Sequence, residues 1–243
     1  MNLLKKLFRR TPERTRPYCA ALIAAAGSST RYGGENKLLQ ELGGMPVLAR
    51  TLLAVDRAES IDEIVIAARE DELLTYAQLC KTFDLQKPVK VVLGGATRTE
   101  SVLRAACEAS PEAALLAVQD GARPLVTSAL IDEVVLAAQQ YHAAAPAIPV
   151  TDTVKVAVNS VVESTPERSK LFAVQTPQVF DAELLKAALQ DALRANAALT
   201  DDCSAVERLG KEVHLTEGDA ENIKITRPLD LIVAEAILQS RGE

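Results

Sequence analysis

From Tyr18 onward, the sequence alternates between short apolar segments and longer segments with helical periodicity. Short apolar runs are typical of buried strands, whereas apolar positions three or four residues apart are typical of a helix. Strands separated by helices of about 10–15 residues predict βαβ units, which build a mostly parallel sheet with helices on both faces. The predicted strands cover residues 19–25, 64–67, 89–93, 114–118 and 145–149, and the predicted helices cover 46–58, 70–83, 98–109 and 128–142.

Residues 154–162 interrupt this α/β pattern. Two valine-rich runs flank the dipeptide Asn159-Ser160, which predicts an antiparallel hairpin around a two-residue turn. A two-stranded hairpin cannot bury its own apolar face. It therefore needs a partner, which is either the core of the same chain or a second chain.

The C-terminal part returns to alternating elements. Helices are predicted over residues 181–196, with Asp181 as the N-cap, and over 202–209. Gly210 follows the second of these helices, at the position that favours a left-handed backbone. Residues 213–216 and 222–225 are predicted strands, and residues 228–239 are predicted to form a final helix.

Size and charge narrow the class of protein. A chain of 243 residues with 48% apolar and 25% charged residues has the composition of an ordinary globular protein. Its formal net charge of −6 argues against a general nucleic-acid binder, which needs a basic face. The longest apolar run, residues 18–26, has nine residues, whereas a membrane-spanning helix needs about 20. We therefore expect no nucleic-acid partner and no membrane segment.

Histidine and cysteine usage excludes further classes of site. The two histidines, His142 and His214, lie outside any cluster, which argues against a histidine-based nucleophilic triad or a multi-histidine metal site. The four cysteines are scattered without a Cys-x-x-Cys motif. They indicate reduced thiols and hence a cytoplasmic protein rather than a disulfide framework.

The first 17 residues differ from the rest of the chain. Residues 1–16 carry six basic residues and one acidic residue, without the apolar stretch of a secretory signal. We interpret residues 1–17 as a basic, flexible tail. Residues 18–243 are then one domain, with a β-arm inserted at about residues 150–172.

Ligands of open α/β sheets bind at the carboxyl ends of the strands, so the segments that follow the strands are candidates for the site. Gly27, Gly33 and Gly34 follow the first strand and allow several N–H groups to turn inward as a nest for phosphate. Arg31 and Lys37 add positive charge to this loop. The spacing matches neither a P-loop nor Gly-x-Gly-x-x-Gly, and a simple connection remains the alternative interpretation.

Three later segments carry further candidates. Gly94 and Gly95 after the third strand form either a tight turn or a backbone edge that approaches a flat base. Asp120 and Arg123 after the fourth strand suit a divalent metal on polyphosphate and a second anion, or else an Asx-turn with a surface arginine. Strand alternation places Lys224 on the face opposite its isoleucine neighbours, where it is a candidate for the same phosphates or a solvated side chain.

Six motifs, taken in order, resemble one known family, the 2-C-methyl-D-erythritol 4-phosphate cytidylyltransferases. The resemblance runs from about Cys19 to Leu238, and six motifs in order are far more specific than any single one. The motifs are Ala25-Ala26-Gly27-x3-Arg31-x5-Lys37, Asp120-Gly-Ala-Arg123-Pro124, Asp152-Thr153-x-Lys155, Thr176-Pro177-Gln178-x-Phe180, Thr200-Asp201-Asp202 and Asn222-Ile223-Lys224-x-Thr226-x-Pro228-x-Asp230.

The resemblance implies a fold, a reaction and a set of site residues. The fold is a nucleotidyltransferase-type, Rossmann-like α/β sheet flanked by helices, with a protruding β-hairpin arm. The reaction is transfer of CMP from CTP to 2-C-methyl-D-erythritol 4-phosphate. The implied catalytic residues, which hold the CTP phosphates, are Arg31, Lys37 and Lys224. The implied nucleotide-binding residues are Ala25, Ala26, Gly27, Gly95, Ser101, Asp120 and Ala122, and the implied substrate-binding residues are Asp120, Arg123, Thr153, Arg168 and Thr200.

The resemblance also implies a cofactor and an assembly. Mg²⁺ or another divalent cation is expected at Asp120. A homodimer through the β-arm is expected, because Thr153 and Arg168 match family positions that reach into the neighbouring subunit's active site. The partners are then CTP, a sugar-alcohol phosphate and a second copy of the chain.

Three positions depart from the family pattern, and three other functions compete with it. Gln119 stands where histidine is common, Gly121 where alanine is common, and Ala96 where many members have aspartate. The competing functions are a ribitol 5-phosphate cytidylyltransferase, a non-catalytic nucleotide-binding paralogue and an NAD-binding oxidoreductase. The oxidoreductase is disfavoured because the chain lacks Gly-x-Gly-x-x-Gly and an obvious acidic residue in the ribose-binding position after the second strand. Retention of the charged residues disfavours the non-catalytic paralogue.

Overall fold

A single central sheet organises the computed structural model, which describes residues 16–27, 32–33 and 35–242. In chain order, the strands are β1 Tyr18–Ala24, β2 Glu41–Leu42, β3 Met45–Pro46, β4 Glu63–Ala68, β5 Val89–Leu93, β6 Ala113–Asp120, β7 Ala143–Pro149, β8 Val156–Val158, β9 Val161–Ser164, β10 Phe172–Val174, β11 Gln178–Asp181 and β12 His214–Glu217. The helices are α1 Val47–Arg57, α2 Leu73–Thr82, α3 Arg98–Glu108, α4 Ser128–Tyr141, α5 Ala182–Arg194, α6 Asp202–Arg208 and α7 Pro228–Arg241.

The sheet is mixed but mostly parallel. Strands β6, β1, β4 and β5 lie side by side and run parallel. Strand β11 is inserted antiparallel between β6 and β7. Strand β7 pairs with parallel β12 on one side, and with antiparallel β11 and β10 on the other. The prediction of a mostly parallel α/β sheet is confirmed.

Helices on both faces explain why the strands are continuously apolar. Along β4, Ile64 and Ile66 belong to the hydrophobic cluster packed against α1, α2 and α4. Val65 and Ala67 belong to the cluster on the other face, packed against α3, α5 and α6. A strand buried on both faces reads as an unbroken apolar run rather than as an alternating one, and this is the pattern that located these strands in the sequence.

Most predicted elements are present, but one predicted strand is wrong and several short strands were missed. Residues 222–225, predicted as a strand, have no regular secondary structure. Asp181 is the N-cap residue of α5 as predicted, but its side chain makes no cap hydrogen bond and instead lies 2.8 Å from His142 Nδ1. Strands β2, β3, β10 and β11, which have two to four residues each, were not predicted.

The predicted hairpin is formed by β8 and β9. Asn159 and Ser160 both have positive φ, 49° and 65°, as a two-residue type I′ turn requires. Every residue of both strands is exposed, and the residues Val158, Val161 and Val162 are 51%, 67% and 54% exposed. The hairpin therefore leaves its apolar side chains uncovered within one chain, and the homodimer through this arm stays a prediction.

Arg16, the first described residue, is attached to the domain. Its guanidinium lies 2.8 Å from Asp62 Oδ2 and donates to the backbone oxygens of Glu59 and Ser60 at 2.6 and 2.9 Å. Asp62 Oδ2 also accepts from the Cys19 backbone N at the start of β1. Arg16, which was predicted to belong to a flexible tail of residues 1–17, is therefore bound to the domain. Residues 1–15 of the predicted tail lie outside the described part of the chain.

This attachment predicts different stabilities for two shortened proteins. Deletion of residues 1–15 is expected to leave the free energy of unfolding unchanged, whereas Arg16→Ala in that shortened chain is expected to lower it by about 1 kcal/mol, since a half-exposed charged hydrogen-bond network is lost. Urea unfolding measures both. Arg194→Ala, which removes an exposed pair with Asp191 at 3.9 Å, is the matched control and should change nothing. Equal stability of the two shortened proteins would show that the Arg16 contacts contribute nothing.

None of the helices in the described ranges combines the length and the apolar character needed to cross a bilayer.

Candidate functional site

A cavity of about 400 Å³ opens at the carboxyl ends of the parallel strands. Its wall is built from the loop after β1, the turn and first helical residues after β5, the end of β6 and the segment before α7. This is the edge at which open α/β sheets bind ligands. The lining residues are Ala24, Ala25, Ala26, Gly27, Lys37, Leu38, Ala96, Arg98, Ser101, Asp120, Ala122, Lys224 and Thr226.

The loop after β1 contributes backbone to this wall. Ala25 N donates to Ala67 O at 3.0 Å, and Gly121 N donates to Ala24 O at 3.2 Å, so neighbouring strand ends hold the first residues of the loop in place. The three predicted nucleotide-binding residues of this loop, Ala25, Ala26 and Gly27, all line the cavity. The predicted catalytic residue Arg31 lies outside the described residues, as does Gly34.

The turn after β5 approaches the β1 loop closely. A Cβ at Gly94 would lie 2.6 Å from Ala26 Cβ and 3.0 Å from Ser101 Oγ, so a residue without a side chain is required there. Ser101 Oγ accepts from Gly95 N at 3.0 Å and donates to Thr97 O at 2.8 Å. Ser101 therefore fixes the turn as well as lining the cavity, while the predicted Gly95 lies next to the wall rather than in it.

Lys37 reaches the cavity from a segment that is pinned by its neighbour. Asn36 Oδ1 accepts from Leu38 N at 2.9 Å, and Asn36 Nδ2 donates to Glu72 Oε1 at 2.5 Å and to Tyr76 OH at 3.0 Å. Tyr76 is fully buried. The backbone on either side of Lys37 is thus anchored to the protein interior, at a position where Lys37 lines the cavity.

Asp120, at the end of β6, lies among three cations. Its Oδ2 is 2.8 Å from Lys224 Nζ and 3.7 Å from Arg123 Nε, and its Oδ1 is 3.6 Å from Arg98 Nη2. Burial by itself would raise the pKa of this carboxyl group. Lys224, Arg98 and Arg123 outweigh burial and hold the pKa at about 2. Asp120 is therefore an ionised carboxylate at neutral pH.

The segment that carries Lys224 is a loop, which corrects the strand prediction. Ile225 N donates to Ala122 O at 2.8 Å. The fully buried Asn222 side chain donates to Thr176 O at 3.1 Å, and Thr176 Oγ1 accepts from Asp120 N at 3.1 Å. Lys224 is therefore directed at Asp120 by long-range contacts and not by strand alternation.

Arg123 lies next to Asp120 but outside the cavity wall. Its side chain is 11% exposed, and its Nη1 donates to Asn222 O at 2.5 Å. Burial lowers the pKa of its guanidinium and the Asp120 carboxylate opposes that effect. Arg123 is not part of the cavity wall, so in this arrangement it supports Asp120 and the Lys224 loop.

Three predicted substrate-binding residues lie away from the cavity within one chain. Thr153, Arg168 and Thr200 are all exposed, and none lines it. Arg168 Nη1 donates to Thr151 O at 3.0 Å, and Thr200 Oγ1 lies 3.0 Å from Ser204 Oγ. The two residues expected to serve a neighbouring subunit, Thr153 and Arg168, therefore stay predictions.

The three residues that depart from the family pattern lie in different surroundings. Ala96 lines the cavity, so the apolar side chain replaces a carboxylate directly at the wall. Gln119 is buried, with Nε2 donating to Asp120 O at 3.3 Å, and it does not line the cavity. A Cβ at Gly121 would lie 3.2 Å from Leu48 Cδ1, a tight contact with a flexible side-chain end.

The described side chains that line the cavity could supply only part of the coordination of a divalent cation. Asp120 is the one carboxylate among the described residues that line the cavity. The described part of the chain contains no group of three or more His, Cys, Asp and Glu side chains that could hold a metal. A cation here would take most of its ligands from a bound phosphate compound, which is how Mg²⁺ commonly binds.

Sequence reasoning missed Arg98, which lines the cavity. Arg98 begins α3, and its Nη1 lies 2.7 Å from Oδ2 of the buried Asp202 at the start of α6. A signal was present in the sequence, because the arginine directly follows the Gly94-Gly95-Ala96-Thr97 turn. Its two acidic partners could not be recognised, because they lie on distant elements.

Comparison with known proteins gives one consistent family. Residues 19–240 match the family model described as 2-C-methyl-D-erythritol 4-phosphate cytidylyltransferase. A curated relative with that description from Geobacillus kaustophilus is 44% identical over 222 residues, covering 91% of this chain and 97% of the relative. Another from Caldanaerobacter subterraneus is 43% identical over 224 residues, covering 90% and 98%.

Solved structures agree with the sequence relatives. A 4-diphosphocytidyl-2C-methyl-D-erythritol synthase from Anaerococcus prevotii superposes with a TM-score of 0.83 at 31% identity, covering 92% of this chain and 96% of that one. A 2-C-methyl-D-erythritol 4-phosphate cytidylyltransferase from Thermus thermophilus superposes with a TM-score of 0.73 at 33% identity, covering 91% and 99%.

Proposed function

Since this chain belongs to the 2-C-methyl-D-erythritol 4-phosphate cytidylyltransferase family, we propose that its cavity is the site of cytidylyl transfer. The enzyme transfers CMP from CTP to 2-C-methyl-D-erythritol 4-phosphate in the non-mevalonate isoprenoid pathway. The products are 4-diphosphocytidyl-2-C-methyl-D-erythritol and pyrophosphate. The observation that carries the proposal for the site is the meeting of Lys37, Lys224 and Asp120 at one cavity wall.

The acceptor brings its own nucleophile. A phosphate monoester has a second pKa of about 6 and is largely dianionic at neutral pH. One of its oxygens attacks the α-phosphorus of CTP in line, the bond from that phosphorus to the bridging oxygen breaks, and pyrophosphate leaves with the electron pair. No general base is needed. A cavity whose described lining contains no histidine or cysteine suits this chemistry.

The enzyme must then bring two anions together and stabilise the charge that develops. Lys37 and Lys224 supply positive charge from different segments of the wall, and backbone N–H groups of the loop after β1 are proposed to bind phosphate oxygens. Catalysis by positioning and electrostatic stabilisation is typical of phosphoryl and nucleotidyl transfer. Arg31, outside the described residues, is proposed to add to the same charge.

Mg²⁺ is proposed to bind at Asp120 together with oxygens of the triphosphate. The cation would supply Lewis-acid stabilisation of phosphate charge when bound. Asp120 suits this role because its carboxylate remains ionised throughout the physiological range. Lys224 contacts the same carboxylate, so Asp120 also sets where this ammonium group lies.

A homodimer is proposed to complete the acceptor half of the site. The exposed apolar side chains of β8 and β9 need a cover. An exchange of arms about a twofold axis would supply it, and would carry Thr153 and Arg168 of each chain toward the cavity of its partner.

A pyrophosphate-release assay tests the reaction and its substrates. The assay crosses CTP, ATP, UTP and GTP with methylerythritol phosphate, ribitol 5-phosphate and no acceptor, with and without EDTA. Release is expected with CTP and methylerythritol phosphate and is expected to disappear on metal removal. Release with ribitol 5-phosphate alone would contradict the acceptor while leaving the reaction class. No release with any pair would contradict the enzyme assignment and favour a non-catalytic paralogue.

A further inference from the structure

Arg98 connects two buried carboxylates that belong to different parts of the site. Its Nη1 lies 2.7 Å from Asp202 Oδ2, and its Nη2 lies 3.6 Å from Asp120 Oδ1. Asp202 is 1% exposed and Asp120 is 6% exposed. Arg98 itself lines the cavity. A planar cation with several donors is suited to span two carboxylates, and a lysine ammonium is not.

Asp202 is available for this contact because it is not needed to cap its helix. The N-cap of α6 is Asp201, whose Oδ1 accepts from Ser204 N at 3.0 Å. The Asp202 backbone N donates to Gln178 Oε1 at 3.0 Å. The Asp202 side chain takes part in neither of these hydrogen bonds, and its Oδ2 lies 2.7 Å from Arg98 Nη1. A buried carboxylate that lost this partner would be left uncompensated, at a high cost in stability.

The contacts of Asp120 are divided between its two oxygens. Lys224 and Arg123 contact Oδ2, whereas Arg98 faces Oδ1. Arg98 therefore attracts the carboxylate through a different oxygen from the one that Lys224 contacts. Asp202 in turn belongs to the 200–202 segment, which contains a predicted acceptor-binding residue, so the chain of contacts joins the nucleotide side of the site to the acceptor side.

We propose that Arg98 is a positioning residue for cytidylyl transfer, anchored by Asp202 and acting through Asp120. The proposal rests on the proposed function of the cavity. Arg98 holds Asp120 Oδ1 in a fixed direction while Lys224 contacts Oδ2, so the carboxylate and the ammonium keep one relative geometry when the substrates bind. Misplacement of site groups by about 1 Å can cost about 10²-fold in rate.

Electrostatics agree with this geometry. Burial raises the pKa of the Asp202 carboxyl group, and the Arg98 charge opposes that rise. Burial acts to lower the pKa of the Arg98 guanidinium, but Asp202 and Asp120 together more than reverse this effect and raise it. The Arg98 charge therefore favours the ionised form of the buried Asp202 carboxyl group.

Measurements of Tm and kcat distinguish a positioning role of Arg98 from a purely structural one. They are made first on a variant that lacks Arg98 and then on a variant that lacks both Arg98 and Asp202. Arg98→Gln is expected to lower Tm, because Asp202 is left as a buried unpaired charge, and to lower kcat by about 10²-fold with only a small change in the KM for CTP. Arg98→Gln combined with Asp202→Asn is expected to recover Tm, because both charges of the pair are gone. Its kcat is expected to stay low, because Asp120 is still without its Oδ1 partner.

A matched ion pair joins α6, the helix that carries Asp202, to α5 away from the cavity. Its members, Arg208 and Asp191, are 3.8 Å apart and 41% and 40% exposed. Arg208→Gln, Asp191→Asn and their combination are expected to leave both Tm and kcat unchanged.

The conservative variant Arg98→Lys is expected to remain well below the wild type in kcat, because one ammonium group cannot span both carboxylates.

Two results would overturn the inference while leaving the proposed function intact. One is recovery of kcat together with Tm in the double variant, which would make the pair purely structural. The other is full activity of Arg98→Gln or Arg98→Lys. A wild-type protein that is inactive with every substrate pair would contradict the proposed function itself, and this inference with it.

Discussion

Lys37→Ala is expected to lose about 10²–10³-fold in kcat, while the apparent affinity for CTP changes much less. The reason is that a charge directed at the transition state stabilises it more than it stabilises the bound substrate. Lys37 and Lys224 line one cavity, and the segment around Lys37 is anchored through Asn36 to Glu72 and Tyr76. Steady-state kinetics with CTP as the varied substrate, together with equilibrium binding of CTP, measures the two effects separately.

Two control variants make the Lys37 result interpretable. Lys37→Met keeps most of the aliphatic stem without the charge and is expected to behave like the alanine variant. Lys186→Ala removes a surface lysine whose ammonium lies 3.3 Å from the Glu183 carboxylate, and it is expected to change neither kcat nor CTP binding. Normal turnover of Lys37→Ala with weakened CTP binding would show that Lys37 only holds the ground state.

Mixing two nearly inactive variants, Lys37→Ala and Arg168→Ala, is expected to restore about one quarter of wild-type activity, because a shared site needs one residue from each chain. Half of the dimers formed from an equal, unfolded and refolded mixture are mixed. In each mixed dimer, one site carries both substitutions and the other carries neither. The structure supports the design, because Lys37 lines the cavity while Arg168, on the flank of the arm, does not.

A second mixture is the matched control. Lys37 and Lys224 line the same cavity of the same chain, so each site of a mixed Lys37→Ala and Lys224→Ala dimer carries one substitution. This mixture is expected to restore no activity above that of the two separate variants. If the Lys37 and Arg168 variants also restore nothing, although mixed dimers are shown to form, then the sites are not shared and the arm serves packing alone.

The sequence was sufficient to predict elements whose burial pattern is local. Strands such as β1 and β4 are continuous apolar runs because helices cover both faces of the sheet. The hairpin was predicted because Asn159 and Ser160 tolerate the positive φ of its turn. The cavity residues after β1 and β6 were predicted because ligands bind where parallel strands end.

The sequence was insufficient where a side chain or strand depends on a distant partner. Residues 222–225 alternate like a strand, yet the buried Asn222 and the Ile225-to-Ala122 hydrogen bond hold them as a loop. Strands β10 and β11 have three and four residues, and their hydrogen-bonded partners, β7 and β6, are distant in sequence. The substrate-binding roles of Thr153, Arg168 and Thr200, by contrast, are predictions that rest on the resemblance to the family.

The order of residues along the chain was therefore enough for the α/β class, for the strand ends that form the site and for the family. Folding in three dimensions was needed to show that Arg98 links Asp120 to Asp202, and that Lys224 reaches Asp120 from an irregular loop. This division follows from the range of the interactions. The periodic pattern of buried positions involves residues that are close in sequence, so it can be recognised in the sequence. An ion pair joins two side chains that can be far apart in sequence, and whether they come close depends on the packing of all the elements between them.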